Sequence, residues 1–485
     1  MIKSVFKKSS LLAGLALAMF ACKPEIDNPI SKGGEIDITR YVAVGNSLTA
    51  GFADGGLYNE AIENSYPNFL AGQLRLVGGG DFDQPFFPEA NRNGSGFQIV
   101  TGFDAAGSPI LATQTENLAV TGPGRFVRFA GSNNQNLGIP GIAAVHVTSQ
   151  PYSLANGFFE RLLPEGSTGK TYLQLIEEAN PTFFTCWMGN NDVLGYVTSG
   201  GTTFTPGQGG ITPAPLFDTS YGALLNQLTA NGAKGVVANI PNISFLPFVR
   251  TANGIIAQRN NPTTPTFPRV SFPLANGVTA AQANQFYQLN NYTSPNFTDG
   301  DNNFFVIEVD DPATSVKEVR QMNPAQDFLL LTFLGKAGQL ATGLGVLRPN
   351  PDFNPANPIG PGNLPALPNP IIDADVLDAA EVLEVQTATT AFNGIIATKA
   401  AAKGLPVVDA NAIFQQIVND GRIDGVAVTT AFVSGGLFSL DGIHLTPRGA
   451  AIVANQFIKA INSGYDAKIP LVNVGGLNLR GVKLP

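Results

Sequence analysis

The sequence predicts an α/β fold, with a parallel sheet covered by helices on both faces to give a three-layer α/β/α sandwich. Three observations carry this. Short apolar runs stop at a glycine, as in Tyr41–Val44 before Gly45 and Thr182–Met188 before Gly189. Other segments place apolar residues at helical spacing. The two kinds alternate along the chain, which is the signature of βα units around a parallel sheet.

In order, Tyr41–Val44 is the first strand, and Tyr66–Leu76 has helical spacing, with Pro67 tolerated in its first turn. Phe126–Gly138 contains a stretch that could feed the same sheet edge. Thr182–Met188 reads as a buried strand, Ser220–Ala230 as a helix and Gly235–Ile240 as the next strand. Asp375–Ala402 carries apolar or small residues at Val376, Ala380, Leu383, Thr387, Ala391 and Ile395, one long helical stripe. Leu405–Val408 is a strand. Pro447–Ile461 is the last helix of the core, with Val453, Phe457 and Ile461 on one face.

Three stretches break this rhythm, at about 79–130, 200–215 and 251–370. They are rich in Gly, Asn, Thr or Pro, and the last holds a possible helix at Ala280–Leu289 and a strand near Phe304–Val309. Loops this long are unusual in compact domains and often serve as lids or binding surfaces. They are expected to decorate one domain spanning 36–465, either as such functional surfaces or only as cover for the sheet edges, followed by a C-terminal extension at 466–485.

Charged residues make up only 13 % of the chain, about half the usual share. The net charge is −8. With no stretch mixing basic and aromatic residues, this argues against nucleic acid as a partner, since phosphates call for clustered Lys and Arg.

The first residues read as targeting. Lys3, Lys7 and Lys8 precede the apolar run Leu11–Ala21, which is shorter than the ~20 residues that span a bilayer and fits a secretory signal peptide at 1–21. Ala21-Cys22 resembles the lipobox of bacterial lipoproteins, with Met19 and Phe20 where that family usually has Leu and a small residue. The resemblance implies a lipid on Cys22, a tether over 22–35 and attachment to a membrane of the cell envelope, the outer one being expected. With Cys22 lipidated, Cys186 would have no disulfide partner and reads as a buried small hydrophobe.

The residues with catalytic chemistry lie where open α/β sheets bind ligands, just past the carboxyl ends of strands. Ser47 follows the first strand, and Asn191 and Asp192 follow the strand ending near Met188. Only two histidines exist, His146 and His444. A serine nucleophile needs a base near neutral pKa, for which imidazole is the usual choice. Asp441 precedes His444 by three residues, close enough to hold its Nδ1. Thr446 reads as a helix N-cap with Pro447 at the first helical position, which would steady that loop.

Four motifs then occur in a telling order. Gly45-Asn46-Ser47-Leu48, Asn136-Leu-Gly-Ile-Pro-Gly141, Gly189-Asn190-Asn191-Asp192 and Asp441-Gly-Ile-His444 resemble the successive blocks of the SGNH, or GDSL, hydrolase family. The resemblance covers perhaps half the chain, in pieces. It implies a flavodoxin-like α/β/α fold, Ser47 as nucleophile, His444 as base and Asp441 as acid. It also implies an oxyanion hole from the Ser47 and Gly141 N–H groups and the Asn191 amide. The substrate would be a carboxylic ester (a lipid, an acylated sugar or a short-chain ester), with neither metal nor organic cofactor required. Asn46 stands where the family usually has Asp, which leaves the implied triad intact.

Several other signals carry less. His146 could touch substrate, but a packed or surface histidine is the preferred reading. Glu165–Thr171 has Pro164 where a phosphate-binding loop needs Gly. Asp299–Asn303 is followed by Phe304 where a calcium loop needs Gly. No His/Cys cluster has zinc spacing, and Gly-x-Ser-x-Gly is absent around Ser47. Two alternatives remain beside the esterase: a non-catalytic surface-binding lipoprotein, expected to have lost Ser47, Asn191 or His444, and an acyltransferase using the same triad.

Overall fold

The computed structural model describes residues 36–104, 107–259, 270–273, 277–300, 302–303, 305–311, 316–335, 367–475 and 479–485. The expected signal peptide, Cys22 and the tether lie outside the described residues. Among the described residues, no helix is long and apolar enough to cross a membrane.

Five parallel strands form the central sheet: β1 Tyr41–Gly45, β2 Asn136–Gly138, β3 Phe183–Trp187, β4 Lys234–Ala238 and β5 Val407–Val408. Their order is β5-β4-β3-β1-β2. Read from the other edge this is 2-1-3-4-5, a common order of doubly wound sheets, whose topological switch point falls between β1 and β3. Every residue of β1 and β3 is buried. Strands covered on both faces can be apolar almost throughout, which is why these two appear as hydrophobic runs interrupted only by Thr185, whose hydroxyl pairs with that of Tyr41 at 2.8 Å.

Helices flank the sheet in two groups, an arrangement compatible with a three-layer sandwich. α1 is the short Ser47–Ala50 turn that follows β1. α2 (Tyr66–Arg75) packs against the long C-terminal helix Pro447–Tyr465, and Tyr66 stacks on Phe457 at 4.9 Å. The other group contains α3 (Tyr172–Ala179), α4 (Asn191–Thr198), α5 (Ala214–Thr229) and α6 (Ala379–Ala402). α7 is Ala410–Asp420 and the C-terminal helix is α8.

Several elements differ from expectation. α5 begins six residues before Ser220, because Pro213 is its N-cap and Pro215 fits the first turn. The stretch beginning at Asp375 is not all helix. Val376–Leu377 is a strand, and the helix starts after Asp378, whose carboxylate accepts from the Glu381 N–H in a capping box. The buried face of α6 is Val382, Val385, Thr389, Phe392, Ile396 and Ala400. The predicted stripe lies on the other side, and Leu383 is 63 % exposed. This Ala- and Thr-rich helix offers two weakly apolar faces, and the one with more large side chains is buried because more apolar area leaves water.

The interrupting stretches are partly ordered. Residues 79–130 hold the antiparallel ladder Phe97–Phe103 with Pro109–Gln114. Residues 251–370 include the helix Ala280–Leu289, as predicted, and a ladder pairing Val306–Asp311 with Val316–Gln321. Two small apolar clusters of their own hold this region, one around Tyr287 and Phe297, the other around Phe305 and Phe333. The described part of the extension, 466–475 and 479–485, contacts α8, where Asn455 exchanges two hydrogen bonds with the Val472 backbone and Arg448 donates to the Leu479 and Arg480 carbonyls.

Candidate active site

Ser47 opens α1 at the carboxyl end of β1. The turn between them needs Gly45, since a Cβ there would stand 2.5 Å from the Trp187 carbonyl of β3 and against the Thr49 hydroxyl. Asn46 caps α1, its Oδ1 accepting from the Leu48 N–H at 3.1 Å, while its Nδ2 donates to Asn190 Oδ1 at 3.1 Å. Asn46 therefore links the turn after β1 to the Gly189–Asp192 turn after β3.

The Ser47 hydroxyl lies 2.8 Å from His444 Nε2, and His444 Nδ1 lies 2.8 Å from Asp441 Oδ2. An ionised carboxylate only accepts, so the proton belongs on Nδ1 and Nε2 is left free to accept from Ser47. Both Ser47 and His444 are buried, and Phe52 lies against the imidazole with centroids 4.7 Å apart. Thr446 caps α8 by accepting from the Gly449 N–H, with Pro447 in the first turn. His444 is thus held just ahead of the anchored end of a 19-residue helix.

Asp441 is the most heavily bonded carboxylate in the site. Oδ1 accepts from the N–H groups of Ile443 and His444 and from the Ser439 hydroxyl. Oδ2 accepts from the Gly55 N–H besides facing His444. Burial by itself would raise its pKa, but the His444 ring and the His444 and Ile443 N–H groups outweigh that and hold the carboxyl well below the usual range. Asp441 stays anionic at any pH where imidazole chemistry operates.

Ser439 and Gly55 were not expected from sequence. The buried Ser439 hydroxyl donates to Asp441 and accepts from the Asp54 N–H at 2.9 Å, and Asp54 in turn accepts from the Leu440 N–H. The 53–56 turn therefore braces the Asp441–His444 loop from nearly 400 positions away in sequence. Spacing could not have revealed it, although a serine two residues before a candidate acid is a weak local cue.

The two other expected oxyanion donors, Asn191 and Gly141, follow β3 and β2, the strands on either side of β1. Asn191 begins α4 just beyond β3, and its Nδ2 donates to the Ile142 carbonyl at 2.9 Å. The second N–H of that amide has no partner among the described residues. Next to it, buried Asp192 accepts from the Ala144 N–H at 2.8 Å, and burial pushes its carboxyl up to about 6. Asn191 and Asp192 thus grip the loop that carries Gly141. Gly141 has φ +85°, so the turn requires glycine for its backbone rather than for space. Neither the Ser47 nor the Gly141 N–H donates to another protein group among the described residues. Asn191 lines one cavity with Ser47 and His444, and a second groove with Gly141.

The remaining histidine is committed elsewhere. His146 Nδ1 accepts from the Ala143 N–H at 3.0 Å, Nε2 donates to the Gly207 carbonyl at 2.9 Å, and the ring stacks on Tyr152. His146 is thus a partly buried, packed histidine, one of the two forms, packed or surface, that were expected. Lys170, in the segment weighed as a phosphate loop, pairs with Glu178 at 2.6 Å. Cys186 is free and buried.

Comparisons with protein-family models, with curated proteins and with solved structures give no match.

Proposed function

We propose that this chain is a serine ester hydrolase of the SGNH type, attached to a membrane of the cell envelope through a lipid on Cys22. The observation that carries the proposal is the unbroken chain Ser47–His444–Asp441, with both links at 2.8 Å. It stands at the switch point between β1 and β3, where doubly wound sheets bind their ligands.

In the proposed reaction His444 Nε2 takes the hydroxyl proton of Ser47 as Oγ bonds to the ester carbonyl carbon. The resulting oxyanion is met by the Ser47 and Gly141 N–H groups and the uncommitted N–H of Asn191. Collapse breaks the carbon–oxygen bond to the alcohol, which leaves with the proton from His444. Water then attacks the acyl-Ser47 with His444 again as base, releasing the acid and restoring the hydroxyl. Asp441 holds the imidazole tautomer and stabilises its protonated form throughout.

A serine-directed fluorophosphonate, applied to cells expressing the full chain, is expected to label a membrane-bound band. Ser47→Ala should abolish the label, and Cys22→Ala should move it to the soluble fraction. Label persisting in Ser47→Ala would refute the nucleophile; label remaining on membranes in Cys22→Ala would refute the anchor.

A further inference from the structure

We propose that the acyl group of the substrate is short, acetyl or propionyl, and that it sits in the apolar pocket beside Ser47; this rests on the serine-hydrolase proposal above. The pocket has a volume of about 40 Å³ and has Ser47, Asn191 and His444 in its wall. Away from them it is lined by Trp187, Ile240, Ile243, Phe245, Phe414 and Phe438, all buried.

Size decides the substrate class. An apolar cavity of ~150 Å³ holds a benzene ring. A pocket about a quarter of that volume holds roughly one or two carbons beyond the carbonyl. Its walls are poorly placed to yield. The Trp187 indole N–H donates to the Asn239 carbonyl, and Phe414 stacks on Phe438 at 5.7 Å. The end of β4 is clamped by Asn393, whose amide both accepts from the Ile240 N–H and donates to its carbonyl. Forcing extra methylenes into such packing strains side chains and backbone.

The two halves of the ester can also be told apart. The alcohol departs while the acyl group is still on Ser47, and water must then enter on the side it vacates. Beyond Ser47, Asn191 and His444 the pocket wall is almost wholly apolar and offers an alcohol or a water no hydrogen-bond partner, so the pocket takes the acyl group and the alcohol leaves past His444 toward solvent. A long acyl chain exceeds this pocket, so the proposed lipid anchor would serve location rather than substrate.

The test is kcat/KM of the full chain in detergent on p-nitrophenyl acetate, propionate, butyrate and octanoate. Acetate and propionate should be similar, with a fall of about tenfold or more at butyrate and a further fall at octanoate. Phe414→Ala and Ile243→Ala should each raise the butyrate-to-acetate ratio about tenfold. Because the ratio is read within one preparation, a variant that folds poorly still reports. Octanoate turned over as well as acetate, with the activity abolished in Ser47→Ala, would overturn the pocket assignment and leave the hydrolase standing. Unchanged ratios in both variants would overturn the assignment too. No Ser47-dependent turnover of any ester would overturn both proposals.

Discussion

His444 and His146 have much in common: both are largely enclosed, both use both ring nitrogens, and both lie against an aromatic ring, Phe52 in one case and Tyr152 in the other. Their partners differ. His444 bridges a carboxylate and a hydroxyl, whereas His146 bridges a backbone N–H and a backbone carbonyl. A ring between two backbone groups has nowhere to pass a proton and works as a tie between loops. A ring between an anion and a hydroxyl can take a proton from one side while its new charge is balanced from the other. Burial and hydrogen-bond count do not separate the two roles; the chemistry of the partners does.

The largest effect that would sharpen this contrast is expected from Asp441→Asn. An amide can turn its NH₂ toward Nδ1, which moves the imidazole proton to Nε2 and leaves no acceptor for the Ser47 hydroxyl. On the proposed mechanism kcat for an acetyl ester should fall about 10⁴-fold. A fall of less than tenfold, measured on protein with an unchanged melting temperature, would mean that His444 does not work through Asp441. Asn191→Ala comes next, with a loss of about 10²–10³ in kcat from one missing oxyanion donor. Because Asn191 also holds the Ile142 carbonyl, KM for a bulky alcohol ester should rise as well. A change in KM alone would assign Asn191 to holding the loop and remove it from the oxyanion site.

The same contrast explains what could be read from sequence. Ser47, Asp441 and His444 were legible as a candidate site through the four ordered motifs that resemble the SGNH blocks, and the scarcity of histidine, two in 485 residues, narrowed the choice of base. Strands β1 and β3 were legible because burial on both faces leaves them almost wholly apolar. β2 was not resolved, since three residues beginning with Asn make no apolar run; Asn136 is buried there only because its amide donates to the Thr49 carbonyl and to Gln84. The period of α6 was legible and its phase was not, because alanines and threonines leave little difference in hydrophobicity between its faces. The braces on Asp441 were hidden for a different reason. The Gly55 N–H carries no side-chain signature, and only the folded chain brings it to the carboxylate.

The smallest effect, and the one that tests the other half of the comparison, is expected from His146→Phe. Phenylalanine can keep the stack on Tyr152 but leaves the Ala143 N–H and the Gly207 carbonyl without the ring, which should cost about 1–3 kcal/mol of stability. The ring lines the groove with Gly141 and not the cavity that holds Ser47 and His444, so kcat should stay within about tenfold of the parent. The stability loss should also depend on pH. Burial lowers the His146 pKa, with the bond to Gly207 opposing it only in part, so the folded chain holds the ring neutral. Below about pH 6.5 the unfolded chain binds a proton that the folded chain resists. The stabilisation from His146 is therefore complete above that pH and declines as pH falls toward the lowered folded value. The gap in melting temperature between parent and variant should accordingly be wider at pH 8 than at pH 5.5. A loss of about 10³ in kcat at unchanged stability would instead put His146 in the chemistry, and partner identity would then no longer distinguish a catalytic histidine from a structural one in this fold.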